Sequence, residues 1–462
     1  MKRVGAIVLA AGQGKRMLSD LPKVLHCAAG VPLVRHVLDA VEDIGITEII
    51  VVIGQGSELV REALGAGYKF AVQEKQLGTG DAVLKAMPYL AEECEDVLVV
   101  CGDTPLLKSE TLEKLIITRR DAAAAAAVLT SIFDDPKGYG RVIKNADHMV
   151  EAIVEDADAT PEQKEIPEIN TGSYAFTKAA LQGTISRLQP DNQQGEYYLT
   201  DCIHLLREAG RPVTALVAPT EETAGINTRR QLSDAERILR ERECLRLMDE
   251  GVTVHEPQTT YIDKGVRVGR DTVIYPFTFL EGKTVIGKGC TLGPGTRLSS
   301  AVLGDNVTVQ YSVVVESTIG DKCNIGPFAY LRPGNELADQ VKVGDFVELK
   351  KTSVGQGSKI PHLSYVGDTT VGTGVNIGAG TITCNYDGVA KYKTLIEDGV
   401  FVGSNTNLVA PVNVGKNAMI GAGSTIAKDV PPDSLAIERA KQVMIPDWKE
   451  KMKKKGSSKN DG

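Results

Sequence analysis

From Ile262 onward an apolar branched residue returns every six positions. Ile262, Val268, Ile274, Leu280, Ile286, Leu292 and Leu298 keep the step without error. After short slips it resumes as Ile319, Ile325, Leu331, Leu337 and Val343, then as Leu408, Val414, Ile420 and Ile426. A small residue follows many of them, as in Ile286-Gly287, Val366-Gly367 and Val414-Gly415. Six fits neither the 3.6-residue helical period nor one simple hairpin. It suits a chain that turns a corner every six residues and buries one branched side chain per corner. The pattern predicts a left-handed parallel β-helix of hexapeptide type, a triangular prism of stacked coils running to about residue 430.

Upstream, residues 1–227 alternate short apolar runs with helical patterns. Val4–Leu9, Ile49–Ile53 and Val97–Val100 read as strands buried on both faces, with Leu33–Ile44 and Ala82–Ala91 as crossover helices. This is the layout of a doubly wound α/β domain. Ala122–Ala127 is ambiguous: propensity says helix, while the following Val128-Leu129 and the β/α alternation favour a small-residue strand. Residues 228–250 are dense in charge, yet Leu232, Ala235, Ile238, Leu239, Leu245 and Met248 fall at helical spacing, so a linker helix with one packed face is expected. The prism domain then takes 251–462, its end being Lys449–Gly462, a lysine-rich stretch expected to be a solvated disordered tail.

A net charge of −8 argues against general binding to nucleic acid or to a membrane surface. Small anionic substrates remain open to local Lys and Arg residues. The eight cysteines form no C-x-x-C pair and no metal spacing with the six histidines, and are expected to be reduced and mostly buried in a cytoplasmic protein. The start imitates a signal peptide, but its apolar run is short and is followed at once by Gly12-Gln13-Gly14-Lys15-Arg16. A buried first strand entering a phosphate loop explains it better, and no stretch is long enough to span a bilayer.

In that loop, Leu9-Ala10-Ala11-Gly12-Gln13-Gly14-Lys15-Arg16-Met17, two glycines let backbone N–H groups turn inward to cradle phosphate while Lys15 and Arg16 add charge. It lacks the third glycine of the dinucleotide pattern and the G-K-[ST] of a Walker loop. The longer L-A-A-G-x-G-x-R-M string resembles the sugar-nucleotide pyrophosphorylases. Further pieces agree: Pro22-Lys23, Gln73, Leu77-Gly78-Thr79-Gly80, Cys101-Gly102-Asp103 at a strand's C-terminal end, Gly138-Tyr139-Gly140-Arg141, Glu155, Glu168-Ile169-Asn170-Thr171-Gly172 and Gly225-Ile226-Asn227. Alone, Asp103 would be an ordinary turn aspartate. The resemblance implies a UTP and UDP-sugar site of Leu9, Ala10, Ala11, Gly12, Arg16, Lys23, Gln73, Gly78, Thr79, Gly102, Asp103, Gly140, Glu155, Asn170 and Asn227. In it Gln73 and the Gly78-Thr79 segment read a pyrimidine, Gly140, Glu155 and Asn170 hold sugar and ribose, and Asp103 with Asn227 binds Mg²⁺. Cys101 stands where some relatives carry tyrosine, and a backbone role is expected there.

A prism needs no histidine, yet His362 lies within it, in Lys359-Ile360-Pro361-His362-Leu363-Ser364-Tyr365. Arg332 and Glu348-Leu349-Lys350-Lys351 precede it within two coils, and Asn376-Ile377-Gly378-Ala379-Gly380 and Thr383-Cys384-Asn385-Tyr386-Asp387-Gly388 follow. With three sides per coil, all of these are expected to stack on one edge. Asn385–Lys393 interrupts the hexads as an extruded loop would. These strings are closely similar to the acetyltransferase half of the bacterial bifunctional N-acetylglucosamine-1-phosphate uridyltransferase and glucosamine-1-phosphate acetyltransferase family, a resemblance reaching from Val4 to Arg439. It implies His362 as general base, Arg332, Lys350, Tyr365 and Asn376 on the sugar phosphate, and Ala379, Asn385, Tyr386, Ser404, Ala422 and Arg439 on acetyl-CoA. It also implies a cytoplasmic homotrimer that uses UTP, glucosamine 1-phosphate and acetyl-CoA in cell-envelope precursor supply. A nucleotidyltransferase with a merely structural β-helix would have no reason to carry His362 together with Arg332 and Asn385-Tyr386. A trimeric scaffold with a dead N-terminal half would have no reason to keep Lys23, Asp103 and Asn227.

Overall fold

The computed structural model describes residues 3–12, 14–54 and 58–457. Gln13 of the phosphate loop and residues 458–462 of the expected tail lie outside them. The chain divides into two compact units between Glu243 and Cys244.

In the first unit one mixed sheet runs in the order Val213–Val217, Ala126–Ile132, Glu168–Thr177, Asp96–Cys101, Val4–Leu9, Glu48–Gly54 and Lys69–Gln73. Val4–Leu9 is parallel to both neighbours, and Glu168–Thr177 is the antiparallel member. Ala6, Ile7 and Val8 are fully buried because helices cover both faces of the sheet. One helix, Leu33–Asp43, turns Leu33, Val34, Val37, Leu38 and Val41 inward at the i, i+3, i+4 spacing. The alanine run splits. The helix Ser109–Asp121 stops before it, Ala123 turns at φ 48°, and the strand begins only at Ala126. Arg229–Asp249 is helical, and its buried Ala235 and Leu239 join Ala28, Leu33, Leu106 and Ile226 in a small core.

The second unit is a left-handed parallel β-helix. Its strands of two to four residues form three parallel sheets of 11, 10 and 9 strands. Ile262, Ile274, Leu280, Leu292 and Leu298 have no exposed surface and stack in one continuous core. Where the six-residue step slips, Leu303, Val309, Val314 and Ile319 are still buried, so a coil loses a corner residue rather than its inward side chain. The last strand is Leu435–Ala436, a little beyond the expected end.

At one edge the residue at the corner takes a left-handed turn, and its side chain points to solvent. Phe277, Tyr311, Phe328, Phe346 and Leu363 occupy corners of this edge with φ between 45° and 60°, Gly295 taking the corner between the first two, and the five large side chains are 47–59% exposed. Phe328 lies 5.6 Å from Tyr311 and 5.4 Å from Phe346, ring centre to ring centre. Above Leu363 the same corner narrows to Gly380, Asn405 and Gly423.

The tail differs from expectation. Trp448–Ser457 is a helix, started by the amides of Glu450 and Lys451 on the Asp447 carbonyl. Lys, Glu and Met are good helix formers, and lysine density alone did not outweigh them. Residues 448–455 are all exposed.

Candidate functional site

In the first unit the strand Val4–Leu9 delivers the chain into the phosphate loop, which closes in a 3-10 turn, Lys15–Met17, entered through Gly14 at φ 62°. A second such turn carries Lys23, which is buried. The Lys23 ammonium donates to Asp103 Oδ2 and, at 3.0 Å, to Asn227 Oδ1. Asp103 follows the strand Asp96–Cys101, and its carbonyl accepts the Ile226 amide at 2.9 Å, which draws the Asn227 segment to it. Two hard oxygen donors therefore already converge on one positive charge. One carboxylate and one neutral oxygen, with substrate phosphates to complete the shell, fit Mg²⁺ chemistry.

A cavity of about 280 Å³ opens beside this cluster, walled by Ala11, Gly12, Lys23, Gln73, Gly78 and Asp103. Gln73 is buried and donates to the Gly78 carbonyl at 3.0 Å and to Asp81 at 2.9 Å. Gly78 has φ 110°, and a Cβ there would stand 2.5 Å from the Tyr197 carbonyl oxygen, so only glycine lets the two segments meet. A second cavity, of about 210 Å³, is walled by Gly140, Glu155, Asn170 and Thr200. Leu9, Thr79 and Cys101 line both, so the two are compartments of one cleft. Asn170 sits at a break in strand register and is fixed by Tyr174 OH at 2.7 Å and the Gly172 amide at 3.1 Å. Burial pushes the Glu155 carboxyl above its ordinary range, although Thr200 donates to it at 3.3 Å.

In the second unit, Asp345 pairs in register with His362 one coil later. Asp345 Oδ1 lies 2.5 Å from His362 Nδ1, and this hydrogen bond holds the Asp345 carboxyl below its ordinary value. His362 immediately precedes Leu363, the last bulky corner, so it stands where the edge changes from large side chains to small ones. Above it Ala379, Ser404 and Ala422 continue the same column: the Asn405 amide bonds to Ala379 at 2.7 Å and the Gly423 amide to Ser404 at 2.8 Å. Arg439 donates to the Ala422 carbonyl at 2.9 Å.

A second column lies at the other end of the neighbouring face. The Arg332 amide bonds to Leu349, and Lys350 pairs with Gly367. Lys350 is buried and donates to Asp368 Oδ2 at 2.7 Å, while Asn385 donates to the same oxygen at 2.5 Å. Desolvation pulls the Asp368 carboxyl up, but these two donors win and hold it below its ordinary value. Its carboxylate in turn raises Lys350. Arg332 pairs with Glu348 at 3.0 Å.

Residues 6–195 match the family described as MobA-like NTP transferase domain, 257–351 the GMPPB C-terminal domain, and 393–428 the bacterial transferase hexapeptide (six repeats). The bifunctional protein GlmU of Heliobacterium modesticaldum is 55% identical over 442 residues, 96% of each chain. That of Carboxydothermus hydrogenoformans is 52% identical over 443 residues, 96% of this chain and 99% of its own. The chain belongs to the GlmU family. A solved putative glucose-1-phosphate thymidylyltransferase from Bacillus anthracis is 20% identical, covers 51% of this chain and 94% of itself, and has a TM-score of 0.43.

Against the residues that the sequence nominates for GlmU chemistry, the geometry is uneven. Ala10 and Gly102 are buried and bond through their backbones to Val52 and Leu9. Arg16 lines a different concavity, with Leu18, Arg229 and Arg230. Cys101 lines both cavities, its thiol donates to the Gly172 carbonyl at 3.6 Å, and burial pushes that thiol up to about 12. The acetyl-site residues do not share one edge. His362, Ala379, Ser404 and Ala422 form one column, Arg332 and Lys350 another, and Asn376 pairs with Lys359 at the start of the strand that ends in His362. The reason is that a strand of up to four residues separates the two corners of a face. Tyr365 reaches the second column through its hydroxyl, 3.4 Å from Asn385 Nδ2. Tyr386 is exposed, on the extruded loop. Sequence reasoning missed Asp345, Asp368 and Thr200. The partner of each lies a coil or a whole element away, a distance that no local motif encodes.

Proposed function

We propose that the prism acetylates glucosamine 1-phosphate with acetyl-CoA and that the α/β unit then couples the product to UTP, giving UDP-N-acetylglucosamine and pyrophosphate. The chain is a bifunctional transferase, with a nucleotidyltransferase and a hexapeptide acetyltransferase part. The observation that carries the reading is His362, oriented by Asp345 at the coil beyond which the corner is taken by Gly380, Asn405 and Gly423.

In the acetyl step the substrate amine attacks the thioester carbonyl. His362 Nε2 takes its proton, and coenzyme A leaves as the thiol or thiolate. The Asp345 carboxylate keeps the proton-accepting nitrogen outward and stabilises the imidazolium that forms. Arg332 and Lys350 would hold the sugar phosphate, with Tyr365 and Asn376 on the sugar. The column Ala379, Ser404 and Ala422, with Asn385, Tyr386 and Arg439, would carry acetyl-CoA.

In the second step a sugar-phosphate oxygen attacks the α-phosphorus of UTP. The α–β bridge breaks, and its electron pair leaves on pyrophosphate. The nucleophile is already anionic, so the protein aligns and neutralises rather than acting as base. Lys23 and the loop amides would do this, with Arg16 beyond them. Mg²⁺ would be held by Asp103 and Asn227, and when bound it supplies further neutralisation. Gln73, Gly78 and Thr79 would read the base, and Gly140, Glu155 and Asn170 the sugars.

The uridylyl function is assigned to residues 1–227, the link to 228–250 and the acetyl function to 251–462. A homotrimer in the cytoplasm is the setting that we propose. The exposed Phe277, Tyr311, Phe328, Phe346 and Leu363 edge supports assembly. Among the described residues no helix is long and apolar enough to cross a membrane.

Incubation with glucosamine 1-phosphate, acetyl-CoA, UTP and Mg²⁺ tests the reading by following thiol and pyrophosphate together. Asp103→Ala should stop pyrophosphate release and leave thiol release. His362→Ala should stop thiol release and leave uridylyl transfer to supplied N-acetylglucosamine 1-phosphate. Loss of both activities in a folded His362→Ala protein contradicts two separate sites.

A further inference from the structure

Arg16, Arg229 and Arg230 line one concavity of about 610 Å³, together with Met17, Leu18 and Thr228. No carboxylate is among these walls. It is separate from the cleft that holds Lys23 and Asp103, but the same loop forms its rim. Arg229 is fixed there: Nε donates to the Met17 carbonyl at 3.2 Å, and Nη1 lies 3.2 Å from His26 Nδ1. A guanidinium can only donate, so Nδ1 is the acceptor and the ring proton sits on Nε2. Burial, and then Arg229 itself, hold the His26 imidazole below its ordinary value. The ring is thus a neutral prop for a cation already in place. Three like charges around one hollow repel one another, and an anion relieves that repulsion. Guanidinium forks match phosphate oxygens in pairs.

We propose that this concavity is an outer site for inorganic pyrophosphate, which receives the leaving group after it quits the transfer centre. The inference rests on the uridylyl reading above. It adds a second position for the product, walled by Arg229 and Arg230, to which no role has been given. Proximity of its rim to the phosphate loop explains why a diphosphate, rather than the sugar or the base, is the ligand. In the forward direction Arg16, which already lines the hollow, would meet the departing anion there. In reverse the hollow would collect pyrophosphate ahead of its attack on the α-phosphorus of the UDP-sugar.

Arg230 is the residue to change, because Arg229 also anchors Met17. Full-length Arg230→Gln and Arg230→Glu proteins are compared with the parent in two ways. Binding of methylenebisphosphonate, a pyrophosphate analogue that does not turn over, is measured by calorimetry without nucleotide. The KM values for pyrophosphate and UDP-N-acetylglucosamine are measured in the reverse reaction. We expect Arg230→Glu to weaken analogue binding and raise the pyrophosphate KM by about fivefold, as loss of one exposed charge pair would, with Arg230→Gln between. The UDP-sugar KM should stay within about twofold, since Arg230 is not among the residues assigned to that ligand. Acetyl transfer, measured on the same samples, reports that the variants are intact. Unchanged analogue affinity and pyrophosphate KM in Arg230→Glu overturn the proposal. So does an equal rise for both substrates, which would mean a general change of field. If the parent binds the analogue through Arg230 yet makes no UTP in reverse, the outer site stands and the uridylyl reading fails.

Discussion

Asp345 is 17 positions from His362 in the chain and 2.5 Å from it in space. The pair is partly exposed, at 37% and 54% of their side-chain surface, so its value lies in orientation rather than in stability. The carboxyl is held below its ordinary value of 3.8 by the His362 hydrogen bond. It therefore stays ionised down to pH values lower than a free aspartate would, and the imidazole has a fixed anion beside it through the whole neutral range. Asp345→Asn keeps the shape and removes the charge. We expect acetyl-transfer kcat to fall roughly tenfold, less than the hundredfold or more for loss of the base itself. The KM values for both acetyl-transfer substrates should stay within about twofold, because the change removes charge and keeps shape. Uridylyl transfer should be unchanged. A fall in rate that comes with a lowered unfolding midpoint of the prism would show that Asp345 supports the coil and does not orient the base.

At the scale of elements, the linker helix is where function and stability divide. Asn227 arrives on the segment just before it, tied to Asp103 through the Ile226 amide. The helix then lays Ala235 and Leu239 over Ala28, Leu33, Leu106 and Ile226. A fragment ending at residue 220 should therefore lose Mg²⁺-dependent uridylyl turnover, for want of Asn227. A fragment ending at 227 keeps that residue but uncovers the small core. It should be less stable by about 2 kcal/mol, the transfer energy of a buried leucine, than one ending at 243. Denaturant titration of the two fragments, with pyrophosphate release as the second readout, checks both parts. Full activity in a folded fragment ending at 220 removes Asn227 from the metal. The helix itself was legible, since Leu232, Ala235, Ile238 and Leu239 keep helical spacing and pack, but Leu245 and Met248, expected on the same face, are exposed, and Cys244 and Leu247 are buried instead. So were the prism and the doubly wound layout, because each buried position repeats at the period of its own element. What the sequence hid depends on register across elements. Asp368 beneath Lys350 and Asn385, and Thr200 against Glu155, are such pairs. So is the separation of His362 from Lys350 by the width of a face. Coil periodicity says that residues stack, while the corner each occupies follows only from where the coils shorten.

At the scale of the molecule, one prism leaves the proposed acetyl-transfer site open. Its two columns of candidate residues stand at different corners, and the column of Ala379, Ser404 and Ala422 lies open along an edge. A flat-sided prism encloses little on its own. Closed symmetry of three copies would wall each open edge with a neighbour and cover the Phe277, Tyr311, Phe328, Phe346 and Leu363 corners. His362 and Arg439 would then meet in one site from different chains. Chains carrying His362→Ala are unfolded together with chains carrying Arg439→Ala and refolded as an equal mixture. Each parent is expected to be inactive in acetyl transfer. If the two residues come from neighbours, random assortment gives an intact pair in about a quarter of the interfaces. Acetyl transfer should therefore return to about a quarter of that of wild-type chains taken through the same refolding, while each variant refolded alone stays inactive. Uridylyl transfer is intact in both parents and serves as the measure of refolding yield. Trimers shown by mass to be mixed, yet without recovered acetyl transfer, would assign both residues to one chain.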